Sequence, residues 1–397
     1  MTVVARLPDS LDLPSPIYLD HNATTRPLPQ VIERVARTMA ETWANPSSAH
    51  WLGGEARVEL EVARDGVCEL VAGAVPDGVF FTSGGTEANN IILLGGDPAP
   101  AWRCVITSRV EHASVLRPAE ALGRRGCQVV YLDVSADGLL DPEALRLAAV
   151  AASPGPLLVS IQWANSETGV VQPVHALAAA VRSVRPDAFF HCDAAQAIGR
   201  IPVDVAASGI DALTFSGHKV HGPQGTGALI LADPDERRVA ALVRGGGQER
   251  GLRSGTHNLP GAVGLGLAAA IRARSLEDAA ARMRAARNTF EDSLAELVPD
   301  ARINGAASPR LPNTSNVRFP GSDGTEIMAR LDAQGIACSQ GSACSSGKPE
   351  PSHVLRAMGL SEGDAFSSVR FSFSALNTIE EARRAARAVA QALGKYV

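Results

Sequence analysis

Between about residue 30 and residue 232, short apolar runs alternate with longer stretches whose apolar positions recur every three or four residues. The short runs lie at 79–82, 104–107, 128–132, 157–161, 188–191, 212–215 and 228–231, and each is predicted to be a strand. The longer stretches at 31–42, 55–72, 115–124, 142–151 and 174–184 have helical period. Such alternation predicts an α/β fold with a mostly parallel, seven-stranded sheet covered by helices on both faces. In such sheets a ligand sits beyond the strand C-termini. After about residue 260 the pattern changes. A long Ala/Arg/Glu-rich helical stretch covers 261–297, short strands follow near 313–319 and 369–373, and a helix closes the chain at 379–393. This predicts a smaller α+β domain. The expected division is a large domain at 17–260 and a small one at 261–397, with the proline-punctuated, irregular residues 1–16 counted in the small one.

A length of 397 residues supports two or three domains and a sizeable core. The net charge of -5 gives no reason to expect nucleic acid or an anionic membrane as partner. No apolar run reaches the ~18 residues of a membrane-spanning helix, and the N-terminus lacks the apolar stretch of a signal peptide. The six cysteines contain no CxxC pair, which speaks against a zinc site or a disulfide scaffold. A cytoplasmic protein is expected.

The candidate chemistry gathers just after strands. Ser216-Gly217-His218-Lys219 ends an apolar run and precedes the glycine-broken segment 222–227. A lysine there can be an ordinary solvated charge, or its amine can condense with a carbonyl, as in enzymes that hold pyridoxal phosphate. Gly84-Gly85-Thr86 closes a strand and opens a helix, so it serves either as a connector or as a phosphate site. His112 follows another strand. His191-Cys192-Asp193 tempts a metal reading, but consecutive strand residues alternate faces and cannot converge on one ion. Asp193 alone, at a strand end, can hold a ring nitrogen protonated.

Together these segments, with Tyr18-Leu19-Asp20-His21-Asn22-Ala23-Thr24-Thr25, Asn45-Pro46-Ser47-Ser48, Val110-Glu111-His112, the glycine-rich 245–251, Arg253-Ser254-Gly255-Thr256 and Gly341-Ser342-Ala343-Cys344, span nearly the whole chain. In them the chain resembles the cysteine desulfurases of the NifS/IscS-like group, class V aminotransferases with pyridoxal 5'-phosphate fold type I. The resemblance implies that enzyme activity, with L-cysteine as substrate and that cofactor. It implies Lys219 as the lysine that holds the cofactor, Asp193 on the pyridine nitrogen and Gln196 on the phenolate oxygen. Gly85, Thr86, Ser216 and His218 would hold the phosphate. His112 would lie over the ring and assist proton transfer. Thr256 would reach the phosphate of a neighbouring subunit, which implies a homodimer. Arg370 would clamp the substrate carboxylate in its planar fork. Cys344 would be the nucleophile that takes sulfur as a persulfide, leaving alanine.

The small, polar surroundings of Cys344 predict an exposed loop, which suits a thiol that takes sulfur inside and delivers it outside. Cys338 is expected to be a packed strand-end residue. One departure is clear: where the family reads Asn-Asn-Glu-x-Gly, this chain has Asn165-Ser166-Glu167-Thr168-Gly169. The shorter serine is expected to lose the cofactor contact or to bridge it with water. The sequence also ends without the extended tail of the housekeeping members. The sulfur acceptor, an iron–sulfur scaffold or another thiolated partner, therefore stays open. Selenocysteine lyase, cysteine lyase or another class V reaction is the rival activity.

Overall fold

The computed structural model describes residues 16–95, 102–235, 238–341 and 350–395. The strands are β1 (Ile17–Tyr18), β2 (Val79–Thr82), β3 (Cys104–Ser108), β4 (Gln128–Leu132), β5 (Leu157–Gln162), β6 (Phe189–Asp193), β7 (Ala212–Ser216), β8 (Gly227–Leu231), β9 (Arg302–Ile303), β10 (Thr314–Arg318), β11 (Ile336–Ala337) and β12 (Ser368–Ser372). The helices of the first half are α1 (Pro29–Glu41), α2 (Trp51–Leu70), α3 (Gly85–Leu94), α4 (Ala113–Arg124), α5 (Pro142–Ala151), α6 (Val174–Arg182) and α7 (Val205–Ser208). The second half adds α8 (Leu259–Arg274), α9 (Leu276–Leu297), α10 (Gly324–Asp332), α11 (His353–Ala357), α12 (Glu362–Phe366) and α13 (Ile379–Ala392).

Seven strands form one sheet in the order β2-β8-β7-β6-β5-β3-β4. Only β8 runs against its neighbours, β2 and β7. The remaining pairs, β7–β6, β6–β5, β5–β3 and β3–β4, are parallel. Strands β3, β5, β6, β7 and β8 are buried throughout, as expected when helices cover both faces of a sheet. One core holds Val159, Phe190, Leu213 and Ile230 under α2, α6 and α8, and a second cluster on the other face holds Phe80, Ile92, Val105 and Leu229 under α3 and α4.

A separate three-stranded antiparallel sheet, β12-β10-β9, packs Phe371 and Val317 against Phe290 of α9 and Val389 of α13. The helical stretch expected at 261–297 is two helices, broken at Ser275, whose φ of -119° and ψ of 12° leave the helical region. Helix α8 supplies Leu259, Val263 and Leu265 to the core of the large sheet, while α9 supplies Ala286, Phe290 and Leu294 to that of the small one. Ile17 and Leu19 also join the small core, and β1 pairs in parallel with β11. On this packing we propose a division near Ser275, with residues 17–19 in the small unit. That moves the boundary expected at 260.

Candidate active site

The parallel strands β5, β6 and β7 end on one side of the sheet, and the loops after them meet residues 20–25. Thr25 ties the two together. Its backbone N–H and its hydroxyl both donate to the His218 carbonyl, at 2.9 and 2.7 Å. Lys219 sits at the end of a single 3-10 turn directly after β7. Its Nζ donates to the carbonyls of Asn22 and Ala23, the latter at 2.7 Å. Burial, then the cations Arg200 and Arg370, pull its ammonium down to about 7.

A cavity of about 320 Å³ opens beside this amine. Its walls include Gly85, Thr86, His112, Asp193, Gln196, Ser216, His218 and Lys219. Residues far apart in the chain therefore meet where the sheet geometry predicts a ligand. At one end the first residue of α3, Gly85, donates its N–H to Ser216 Oγ at 2.8 Å. A Cβ at Gly85 would stand 2.9 Å from that hydroxyl, so only glycine leaves the helix start open. Helix N-terminal N–H groups, hydroxyls and a neutral imidazole make a cradle for an anion. The imidazole is His218, bonded through Nδ1 to Thr24 and pushed to about 4 by burial.

At the other end Asp193 is buried at the tip of β6. Its carboxylate accepts from Asn89 Nδ2 at 2.8 Å and from the Ala195 N–H at 2.9 Å. The Gln196 amide donates to the Asn22 carbonyl at 3.1 Å, while its oxygen accepts from the buried Arg200. His112 caps α4, and its Nδ1 accepts from the Ser114 N–H at 3.1 Å. Burial, with the nearby Lys219 and His353 charges, lowers its pKa against the opposing pull of Asp193. Behind it Glu111 is fully buried. Desolvation raises its carboxyl to about 8.

A wider cavity of about 1230 Å³ shares Ala23, His112, Ser166, Gln196 and Lys219 with the first. Arg370 of β12 lines it, held by the Ser166 carbonyl at 3.1 Å and by an ion pair with Asp20 at 2.5 Å. The backbone of Ser166 thus fixes Arg370, whatever its side chain does toward a ligand. Cys344 lies outside the described residues. The residues flanking its segment do not: Gly341, Glu350 and Pro351 all line the wider cavity. Ser352 donates to the buried Glu167 carboxylate, against which Gly341 also packs. Cys338 packs at the edge of the small core and its thiol is pushed to about 12 by burial. Thr256 is exposed and is not among the residues lining the cavity in its own chain.

Asn89, Ser114 and Arg200 were not singled out from the sequence, because each serves the site by orienting another side chain, Asp193, His112 and Gln196 respectively. Asn89 alone had a clue: it sits four residues after Gly85, one helical turn along the same face.

The fold and this constellation define a class of protein. The Aminotransferase class-V family model matches residues 17–384, and the chain belongs to that family, in its cysteine desulfurase branch. A protein of Gluconacetobacter diazotrophicus named cysteine desulfurase is 42% identical over 364 residues, covering 91% of this chain and 89% of its own length. A solved NifS-like protein superposes with a TM-score of 0.87 at 35% identity, covering 96% of this chain and 99% of that one. The structure of SspA in complex with cysteine matches with a TM-score of 0.79 at 34% identity, over 91% of this chain and all of that one (100%).

Proposed function

We propose that the chain is a pyridoxal 5'-phosphate-dependent cysteine desulfurase, taking sulfur from L-cysteine onto Cys344 and releasing L-alanine. The observation that carries this is the meeting of Lys219, Asp193, Gln196 and the Gly85–Ser216 cradle around one cavity. The residues fit the cofactor. Gly85, Thr86, Ser216 and His218 would hold its phosphate, Asp193 its ring nitrogen, Gln196 its phenolate oxygen, and Lys219 its aldehyde. When bound, the cofactor supplies an electron sink for charge at the substrate α-carbon.

The protein groups do the rest. Arg370 holds the substrate carboxylate through its guanidinium. Lys219 Nζ takes the substrate α-proton; an amine drawn down to about 7 is substantially neutral at physiological pH. The Cys344 thiolate attacks the substrate sulfur. An S–S bond forms, the substrate Cβ–S bond breaks, and its electron pair stays on Cβ, which a proton then completes to alanine. No external oxidant is needed, because the two electrons lost by the sulfurs in forming the S–S bond are the pair retained by Cβ, which is reduced to the methyl group of alanine.

We infer likewise a homodimer in which Thr256 serves the partner's phosphate cradle, and delivery of the persulfide to an acceptor protein. An iron–sulfur scaffold is one such acceptor. The free thiols at Cys68, Cys104, Cys127, Cys192 and Cys338 suit a reducing compartment such as the cytoplasm. Among the described residues no helix is long and apolar enough to cross a membrane.

The test is product analysis. With L-cysteine the enzyme should release alanine and carry a persulfide visible by mass spectrometry. Lys219→Ala should release none. Cys344→Ala should still exchange the substrate α-proton with deuterium, yet form neither alanine nor persulfide. Pyruvate in place of alanine, or normal turnover by Cys344→Ala, rules the reading out.

A further inference from the structure

A buried hydrogen-bond chain joins Asp193 to His112. Asn89, 1% exposed, donates through Nδ2 to Asp193 Oδ2 at 2.8 Å and to Ser114 Oγ at 2.8 Å. Its Oδ1 accepts from Thr214 Oγ1 at 2.5 Å. Thr214 Oγ1 stands 3.0 Å from His191 Nε2, and His191 Nδ1 stands 2.9 Å from Ser160 Oγ. Ser114 Oγ stands 2.7 Å from His112 Nδ1, which also receives the Ser114 backbone N–H.

The Asp193 carboxylate gives this chain its direction, since it can only accept. Asn89 must therefore turn its NH2 toward Asp193, and the second hydrogen of that group meets Ser114 Oγ. Asn89 Oδ1 is left facing Thr214, which must donate to it. Thr214 then accepts from His191 Nε2–H. Burial keeps His191 neutral by driving its pKa to about 4, and its Nδ1 accepts from Ser160. On the other branch Ser114 Oγ already accepts from Asn89, so its own hydrogen is free for His112 Nδ1. The backbone N–H aims at the same atom. Two donors meet Nδ1, so the ring proton of neutral His112 belongs on Nε2. Nε2 makes no hydrogen bond among the described residues, and the ring lines both cavities.

We propose that Asn89 and Ser114 are positioning residues that hold His112 as its Nε2–H tautomer, so that His112 presents a hydrogen-bond donor to the substrate cavity and leaves proton abstraction to Lys219. The lone pair of such a ring lies on Nδ1, at the start of α4, where the Ser114 N–H and hydroxyl already occupy it. This inference rests on the reading of the cavity as the reaction site. The tautomer itself follows from the network alone.

Histidine nitrogens isotopically labelled in the holoenzyme report the tautomer directly, and the His112 signals are assigned by their loss in His112→Gln. At neutral pH the expected spectrum has a protonated Nε2 and an unprotonated Nδ1. A protonated Nδ1, alone or in an imidazolium ring, overturns the proposal. Ser114→Ala keeps the backbone cap but cuts the tie to Asn89, and it is milder than truncating buried Asn89. In Ser114→Ala the two nitrogen signals should move toward each other, with kcat down about tenfold and KM changed less than about threefold, the scale of one hydrogen bond lost to a buried polar group. Unchanged nitrogen signals, or unchanged kcat, overturn it. A product other than alanine would remove the desulfurase reading and leave the tautomer result intact.

Discussion

Burial and the cations Arg200 and Arg370 draw the Lys219 ammonium from its ordinary 10.5 to about 7. In the cofactor-free protein this ties stability to pH. Between about 7 and 10.5 the unfolded chain binds a proton that the folded one does not, so Lys219 makes stability rise with pH through that window. Lys219→Met removes the effect. Its stability relative to wild type should be best near pH 6 and should fall by roughly 2–4 kcal/mol by pH 10, read from urea unfolding of the cofactor-free proteins. A flat difference would place the folded lysine near its ordinary pKa. Glu111 works with the opposite sign. Its folded carboxyl keeps a proton up to about 8, against an ordinary 4.5, so it makes stability fall as pH rises between those values. Glu111→Gln copies the neutral acid in shape. It should gain on wild type as pH rises through that window, in the same unfolding assay, and should retain His112 in place.

At the scale of elements, two close approaches decide where glycine is required. Helices α2 and α8 cross with Gly66 against Gly266: a Cβ at Gly66 would lie 2.4 Å from the Gly266 carbonyl oxygen. Neither backbone can move without opening the core beneath, so Gly66→Ala should cost roughly 1–3 kcal/mol, visible as a lowered unfolding midpoint with no change in cofactor affinity. Gly85→Ala should do the reverse. It presses on Ser216 Oγ at the anion cradle, so it should weaken cofactor binding while leaving the midpoint of the cofactor-free protein nearly unchanged. The seven strands of the large sheet were legible because each is a short, mostly apolar segment bounded by turn or helix-start residues. Strands β1, β9 and β11 have two residues each and leave no period to detect. The break between α8 and α9 does carry a sequence signal: Ser275-Leu276-Glu277-Asp278 has the spacing of a helix start. The serine hydroxyl nonetheless bonds backward, to the Ile271 carbonyl at 2.9 Å. The site was legible where chemistry demands a residue type, as at Lys219 and Asp193. It was not legible where a residue such as Asn89 or Arg200 only orients another.

At the scale of the whole molecule, Thr256 bears on how many chains make one site. Thr256 is exposed and is not among the residues lining its own cavity, and the buried Glu249 lies seven residues before it. That carboxylate binds Arg64 at 2.9 Å and His257 at 3.0 Å, and it also receives the Phe81 N–H. Glu249 and Arg250 both have positive φ, 47° and 51°, a conformation that the buried bonds sustain. Such a rigid, outward-facing loop suits a group offered to another copy. Helices α1 and α2 expose Met39, Val58 and Val62, and Trp51 at 71%, a surface that a second copy would cover. Sedimentation should therefore give about twice the 41.3 kDa of one chain. Pairing two defective chains tests the sharing itself. Lys219→Ala lacks the amine but keeps Thr256; Thr256→Arg keeps the amine but blocks the cradle it serves. Each homodimer should be inactive. In the mixed dimer, if Thr256 acts across the interface, the Thr256→Arg chain has its own Lys219 and receives an intact Thr256 from its partner. That one site should work, at about half the activity of wild type per dimer. If Thr256 instead serves its own chain, each site of the mixed dimer carries one defect, and mixing restores nothing.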